Sequence, residues 1–369
     1  MKKCRYLLPV MALLLSISMT GCQNQRKEPS KNNAAEGETA IIDFPSSYQK
    51  DYDNQLRVDA KIIVPDKLKG KSLRGAKAKL IKPDVEAVRQ KTEEYLGTTL
   101  QEFLFTEQKD YQGAPLYIYQ YADPQDSVFS ITYSDDQNSL LYSPQEMSYV
   151  RTAFRLADDP GYNADLFQND EEFPFESRQD AFLHVKQYLE DVGIIIGDEY
   201  RCYSLPYETL RQEEIVYEED RTSGKGEWTE EDNAYYFAIN QEANGLPVYI
   251  PMYGIYAADI DYNAPIQIMY KASGIGFIET GTMYEITSAD TYVNPLRIEE
   301  VFECIKEKYD MLISDEEIIL TQAKLCWIPD KASEDLILGW SIRGKTSAGE
   351  SLQMFYDAQT GKELLGVSL

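Results

Sequence analysis

The chain has 369 residues, with 62 Asp and Glu against 36 Lys and Arg, a formal net charge of −26. That balance excludes nucleic acid as an electrostatic partner and disfavours anionic lipid or wall polymer, while cationic ligands, divalent ions or a basic patch on another protein suit it. The length allows two domains or an elongated assembly of modules with real cores, and no stretch beyond the amino-terminal run is long and apolar enough to cross a membrane as a helix.

At the amino terminus, Lys2, Lys3 and Arg5 precede an apolar run from Leu7 to Met19, 13 positions interrupted by Pro9, Ser16 and Ser18. A hydrocarbon core needs about 20 apolar residues, so the run fits the three-part layout of a secretory signal better than a retained anchor. Met19-Thr20-Gly21-Cys22 resembles the lipobox of bacterial lipoproteins, with Met where Leu is commonest. The resemblance implies cleavage after Gly21 and acylation of Cys22 by diacylglyceryl and fatty acyl chains such as palmitate. The protein would then sit on the extracytoplasmic face of the cell membrane, held at about 0.8 kcal/mol per buried methylene. Loss of residues 1–21 leaves 348 residues and, without three leader cations, a charge of −29.

Residues 22–42, rich in Gln, Asn, Lys, Glu and Ser without apolar periodicity, read as a flexible tether. Beyond it, three one-faced helices are expected. The first follows Pro83, sets Val85, Val88, Thr92, Tyr95 and Leu96 on one side, and stops at Gly97. The second has Ser177 as its cap and Asp180 three residues on, with Ala181, Val185, Tyr188, Leu189 and Val192 facing inward. The third takes Asn294 as cap and Pro295 as first residue, with Ile298, Val301, Phe302, Ile305 and Tyr309 at helical spacing.

Strand-like, turn-punctuated sequence follows each helix. After the first come "PLYIYQYA" and two runs joined at Asp135 to Asn138. After the second come "YRCYSL" and a hairpin signal at Asn244-Gly245. After the third come "EEIILTQAKLCWIP", "LILGWSIRG" and a final hairpin turning between Asp357 and Gly361. The expected fold class is therefore α+β, with repeated units of one helix packed on a small antiparallel sheet. The divisions fall at 43–170 for an N-terminal module, 171–292 for a second and 293–369 for a C-terminal one.

These units resemble PepSY modules, and "MFYDAQTGKELLG" after "LGWSIRG" is the stretch most like that family's last hairpin. In physical terms, Asp caps the turn and Gly takes its left-handed position. The whole chain is similar to uncharacterised lipoproteins of clostridial-type bacteria. More distantly it is similar to exported regulators of a wall-sensing kinase, of the YycH and YycI kind. The resemblance implies a binding or regulatory role without catalysis.

Catalytic chemistry finds little purchase. His184 is the sole histidine, placed among the apolar positions of the second helix, where packing explains it and multi-histidine zinc sites are excluded. "PDKLKGKS" has Pro65 where a phosphate loop needs its first glycine, and "GIGFIETG" has Glu279 where a dinucleotide fingerprint needs its third. The acidic run with Asp158, Asp159, Asp165 and Asp170 lacks the spacing of a calcium loop. Cys202, Cys304 and Cys326 show no metal-ligand spacing; a bridge between Cys304 and Cys326 and free buried thiols both stay open.

With 28 Tyr and three Trp, a Tyr-rich face is available for contact, though strand packing accounts for any single tyrosine. Within the charged insertion at about 213–232, Trp228 is the possible contact residue if exposed. No cofactor and no metal are expected. The function expected is a membrane-anchored, non-enzymatic module binding an exported or membrane protein. The alternatives are a solute- or glycan-binding lipoprotein, needing a concave tyrosine-lined pocket, and a hydrolase, needing two facing carboxylates.

Overall fold

The computed structural model describes residues 40–366 apart from 53–54, 110–112, 126, 155–162, 168–170, 215–223, 251–263, 311–316, 331–332 and 350. Gly21, Cys22, the signal segment and the tether up to residue 39 lie outside the described residues, as do Asp158, Asp159 and Asp170. From Thr39 onward the chain forms one compact unit.

β1 (Ser47–Tyr52) and β2 (Leu56–Ile63) form an antiparallel hairpin, and β2 alternates buried Leu56, Val58, Ala60 and Ile62 with exposed Arg57, Asp59 and Lys61. Such period-two patterning is what a strand with one buried face requires. β3 (Arg74–Leu80) leads to α1 (Val85–Leu96). Asp84 caps α1 by accepting from the Ala87 N–H at 3.1 Å, worth about 1 kcal/mol, and Gly97 stops it at φ 63°.

An antiparallel meander follows: β4 (Gln101–Lys109), β5 (Pro115–Ala122), β6 (Val128–Tyr133) and β7 (Asn138–Ser143). Next come α2 (Gln145–Ala153) and α3 (Arg178–Asp191), the latter capped as expected by Ser177, whose hydroxyl accepts from the Asp180 N–H. β8 (Arg201–Leu205), α4 (Tyr207–Glu213) and β9 (Ala234–Ile239) precede a tight hairpin of β10 (Glu242–Ala243) and β11 (Leu246–Pro247). Its central residues Asn244 and Gly245 both adopt positive φ, 48° and 89°, the conformation that favours an Asn-Gly pair.

The chain finishes with β12 (Ile266–Lys271), β13 (Gly274–Thr280), β14 (Tyr284–Tyr292), α5 (Ile298–Tyr309), β15 (Ile318–Pro329), β16 (Asp335–Thr346), β17 (Ser351–Asp357) and β18 (Glu363–Gly366). α5 starts later than Asn294. The Asn294 side chain instead accepts from the Ala40 N–H at 3.0 Å, and the Leu296 N–H bonds the Ala358 carbonyl at 2.8 Å. Tertiary pairing thus holds residues 294–296 out of the helix, and the Glu300 carboxylate, accepting from the Arg297 N–H at 2.9 Å, closes the first turn.

The expected α+β class of repeated helix-on-small-sheet units is overturned. Among the described residues, eighteen strands and five α-helices make a mostly β molecule dominated by two eight-stranded sheets. The meander after α1 and the strands after α3 do not stay separate: β7 pairs with β13, fusing them into one sheet of order β4-β5-β6-β7-β13-β12-β9-β8. The strands after α5 are likewise enlarged. β2 joins β15 in parallel, and β3 pairs with both β16 and β14, giving the order β1-β2-β15-β16-β17-β18 with β3 and β14 beside it. Merging removes edges that small sheets would have left unpaired.

α5 covers the second sheet with Ile298, Val301, Phe302 and Ile305 over Trp327 and Trp340. The first sheet is covered on both faces at its β9 end. Tyr235, Phe237 and Ile239 face α1 and α3, and Ala234, Tyr236 and Ala238 face α2 and α4. Hence β9 is apolar at every position, the pattern of a strand buried on both sides.

Buried amides latch the two sheets. The Asn138 side chain donates to the Ile81 and Met283 carbonyls and accepts from the Met283 N–H at 2.8–2.9 Å. Gln241 likewise donates to the Ile195 and Tyr284 carbonyls and accepts from the Tyr284 N–H. The Trp327 indole donates to the Ala243 carbonyl at 2.8 Å. Each satisfied group would cost about 1–3 kcal/mol if left unpaired, so the junction is held rather than hinged.

Candidate protein-interaction edge

Sheet edges carry unpaired backbone donors and acceptors, and folded proteins usually blunt them. Three edges here follow that rule. β1 presents Gln49, Lys50 and Asp51, with Lys50 tied to Glu303; β14 presents Glu285 and Asp290; β18 is four residues long. β8 is buried or half-buried throughout, and its Ser204 hydroxyl donates to the Glu171 carbonyl at 2.6 Å beneath a covering segment.

β4 does not follow it. Nine residues long, it ends the first sheet with Phe103, Leu104 and Phe105 exposed by 55, 42 and 48%. Three consecutive large apolar side chains on an uncovered edge are what water-soluble surfaces avoid unless something docks there. The strand is irregular at this point, since Glu102 pairs with Tyr121 but Leu104 with Gln120, leaving Phe103 as an extra residue in a bulge. Bulges re-aim side chains at sheet edges.

Behind β4 lies an aromatic ladder. Phe105 packs on Tyr119 with ring centroids 4.7 Å apart, Tyr119 stacks near Tyr133 at 6.2 Å, and Tyr117 stacks on Tyr133 at 5.1 Å. These rings are cross-strand neighbours on one face, with Lys82 over Tyr133 at 5.8 Å. Burial pushes the Tyr119 hydroxyl pKa up, its bond with Tyr133 adds to that, and the charges of Glu102 and Glu107 push the same way. The tyrosines of "PLYIYQYA" therefore both pack the sheet and back an exposed edge.

Other sequence-predicted residues fall elsewhere. Trp228 is not a contact residue: it is 5% exposed, its indole donates to Glu214 at 2.7 Å, and Lys225 sits 5.1 Å above the ring. A tryptophan in a charged insertion is pulled inward because its large apolar area finds a core edge and its N–H finds a carboxylate. His184 lies on the outer side of α3 rather than among its packed positions, 58% exposed, with Nε2 3.0 Å from Glu176. Its ring lies parallel to Tyr270 at 6.0 Å. Cys202, Cys304 and Cys326 are free thiols, and burial raises the Cys326 pKa to about 12. Asp165 is exposed, and among the described residues no cluster of three metal-ligating side chains occurs.

A groove of about 370 Å³ opens where the two sheets meet, lined by Glu199, Tyr200, Arg201, Asn240, Glu242 and Lys324 among others. It holds one tyrosine, and Glu242 is spent in an ion pair with Lys67 at 3.0 Å. Beside Glu242, Gly197 leaves no room for a Cβ, which would fall 2.7 Å from the carboxylate.

No family model matches the chain, and no curated protein matches it. Among solved structures it is similar to one described as the crystal structure of an uncharacterized protein from Eubacterium rectale ATCC 33656 at 1.45 Å resolution. The TM-score is 0.57 at 15% identity, over 87% of this chain and 94% of that one. At that identity the likeness is one of fold.

Proposed function

We propose that the protein is a lipid-anchored extracytoplasmic module that works by binding another exported or membrane protein, without catalysis of its own. Its anchor is the acylated Cys22, and its contact is the β4 edge with the aromatic ladder behind it. The observation that carries the reading is the run of exposed Phe103, Leu104 and Phe105 on a nine-residue edge strand, where the other edges among the described residues are short, charged or covered. The distant similarity to exported kinase regulators agrees with such a role. A solute-binding role asks for a tyrosine-lined concave pocket, and the groove at the sheet junction is mixed in charge and carries Tyr200 alone.

The test is photo-crosslinking in intact cells. A photoreactive residue at position 103 is expected to capture a discrete exported or membrane protein, whereas one at Leu183, equally exposed on α3, is not. Equal yields at both sites, or recovery of wall sugar alone, would overturn the reading. Anchoring has its own assay, since Cys22→Ala is expected to release the protein into the medium or leave the precursor uncut. An unchanged membrane fraction would refute the lipobox assignment.

A further inference from the structure

Resting on the reading of β4 as the contact, we infer that its occupant is an extended segment of a partner protein in which basic and apolar residues alternate, added to β4 as a ninth strand. The register of β4 on β5 sorts its side chains onto two faces. Glu102 opposite Tyr121, Phe105 opposite Tyr119 and Glu107 opposite Tyr117 share one face, which ends in Lys109; Leu104, Thr106 and Gln108 share the other. A strand laid along β4 meets the same two faces alternately, because strand side chains alternate with a period of two.

On the first face, two exposed carboxylates bracket an aromatic ring. Among the described residues neither Glu102 nor Glu107 is in an ion pair. A lysine or arginine there places its charge on a carboxylate and its methylene stem on Phe105. On the second face Leu104 offers apolar area, which a valine or isoleucine covers. The backbone supplies the remaining affinity through ladder hydrogen bonds, the ordinary mode of strand addition.

Charge selects this occupant over a second copy of the chain. Pairing β4 with its own copy brings four carboxylates onto one ladder against two Lys109 side chains, and sets two mature molecules of charge −29 together. An acidic segment fails for the same reason. A basic one gains on approach as well as on contact, so its binding weakens as salt rises.

The probes are two dye-labelled synthetic peptides of about ten residues, the length of a long strand, one alternating valine with lysine and the other valine with glutamate. Fluorescence anisotropy reads binding to the mature protein and to a variant carrying Glu102→Lys and Glu107→Lys, both at exposed positions where folding is not at stake. The wild type is expected to bind the lysine peptide about tenfold more tightly than the glutamate peptide at low salt, and the variant, still acidic overall, is expected to lose most of that preference. A preference undiminished by the charge swap overturns the inference. So does a concentration-dependent dimer in sedimentation that Phe103→Lys abolishes, because β4 would then hold a second copy. If position 103 still crosslinks a cell protein while neither peptide binds, the protein-binding reading stands and the basic strand falls.

Discussion

The two ends of the first sheet are built from the same material and finished in opposite ways. At one end, β8 carries Tyr203 and Leu205 at about full burial, with Phe167 and Phe154 packed beside them. The segment at 171–178 closes over it through Ser204 and Tyr235. At the other end, β4 spends equally large side chains on solvent. Burying three such side chains contributes several kcal/mol in a core, so leaving them out is a cost the fold carries without structural return. The difference teaches that apolar content alone does not tell a packing strand from an exposed edge strand; the neighbours on its far side do.

The sharpest way to break that comparison is truncation. Leu205→Ala is expected to cost about 2–5 kcal/mol, because it removes a fully buried side chain among aromatics, whereas Leu104→Ala is expected to change stability by less than about 0.5 kcal/mol. Urea unfolding of both variants reads this directly, and equal losses would mean that β4 packs against something as β8 does. Next in size, Ser204→Ala removes the hydroxyl bonded to the Glu171 carbonyl and is expected to cost about 1 kcal/mol, with faster amide exchange along β8. Phe103→Lys is expected to leave stability within about 0.5 kcal/mol of wild type. It should nonetheless reduce capture of the partner by a crosslinker at position 105. Capture that persists unchanged would move the contact off β4.

What could be read from sequence divides by range. Caps and turns are local, and Ser177, Gly97, Asn244-Gly245 and the turn after Asp357 all sit where their chemistry requires. In that last turn the Asp357 carboxylate accepts from the Gln359 and Thr360 N–H groups. The fusion of sheets is not local. β7 meets β13 through only two residue pairs, and β2 lies parallel to β15 across about 260 positions of chain, so no periodicity within either strand announces the partner. β1, β2 and β3 drew no expectation, and neither did β4. In β4, the extra residue at Phe103 breaks the alternation that marks a half-buried strand, and "FLF" reads equally as a scrap of core. The signal that could have found it is the pairing of that apolar triplet with the tyrosines of "PLYIYQYA" one turn later. Trp228 misled for the converse reason, since a charged stretch of sequence says little about where its tryptophan will go.

The smallest expected effect lies in acid, and it again separates the two ends. Glu172 sits in the segment that closes over β8. Burial alone would push its carboxyl pKa up, but the Arg178 N–H at 2.6 Å, the Arg178 guanidinium at 3.1 Å and the Tyr235 hydroxyl at 3.1 Å outweigh it and hold the pKa below the usual range. A carboxylate whose pKa is lower folded than unfolded adds stability that is present above its unfolded value, about 4.3, and fades as pH falls through the depressed one. Half-exposed as Glu172 is, screening keeps that contribution small. In thermal unfolding from neutral pH downward, the gap between wild type and Glu172→Gln is therefore expected to hold steady to about pH 5 and narrow below 4, with amide exchange in β8 accelerating over the same range while exchange in β4 does not. A gap that stayed constant into strong acid would show that Glu172 holds the cover by shape rather than by charge, and the closure of that edge would then rest on Ser204, Phe167 and their neighbours.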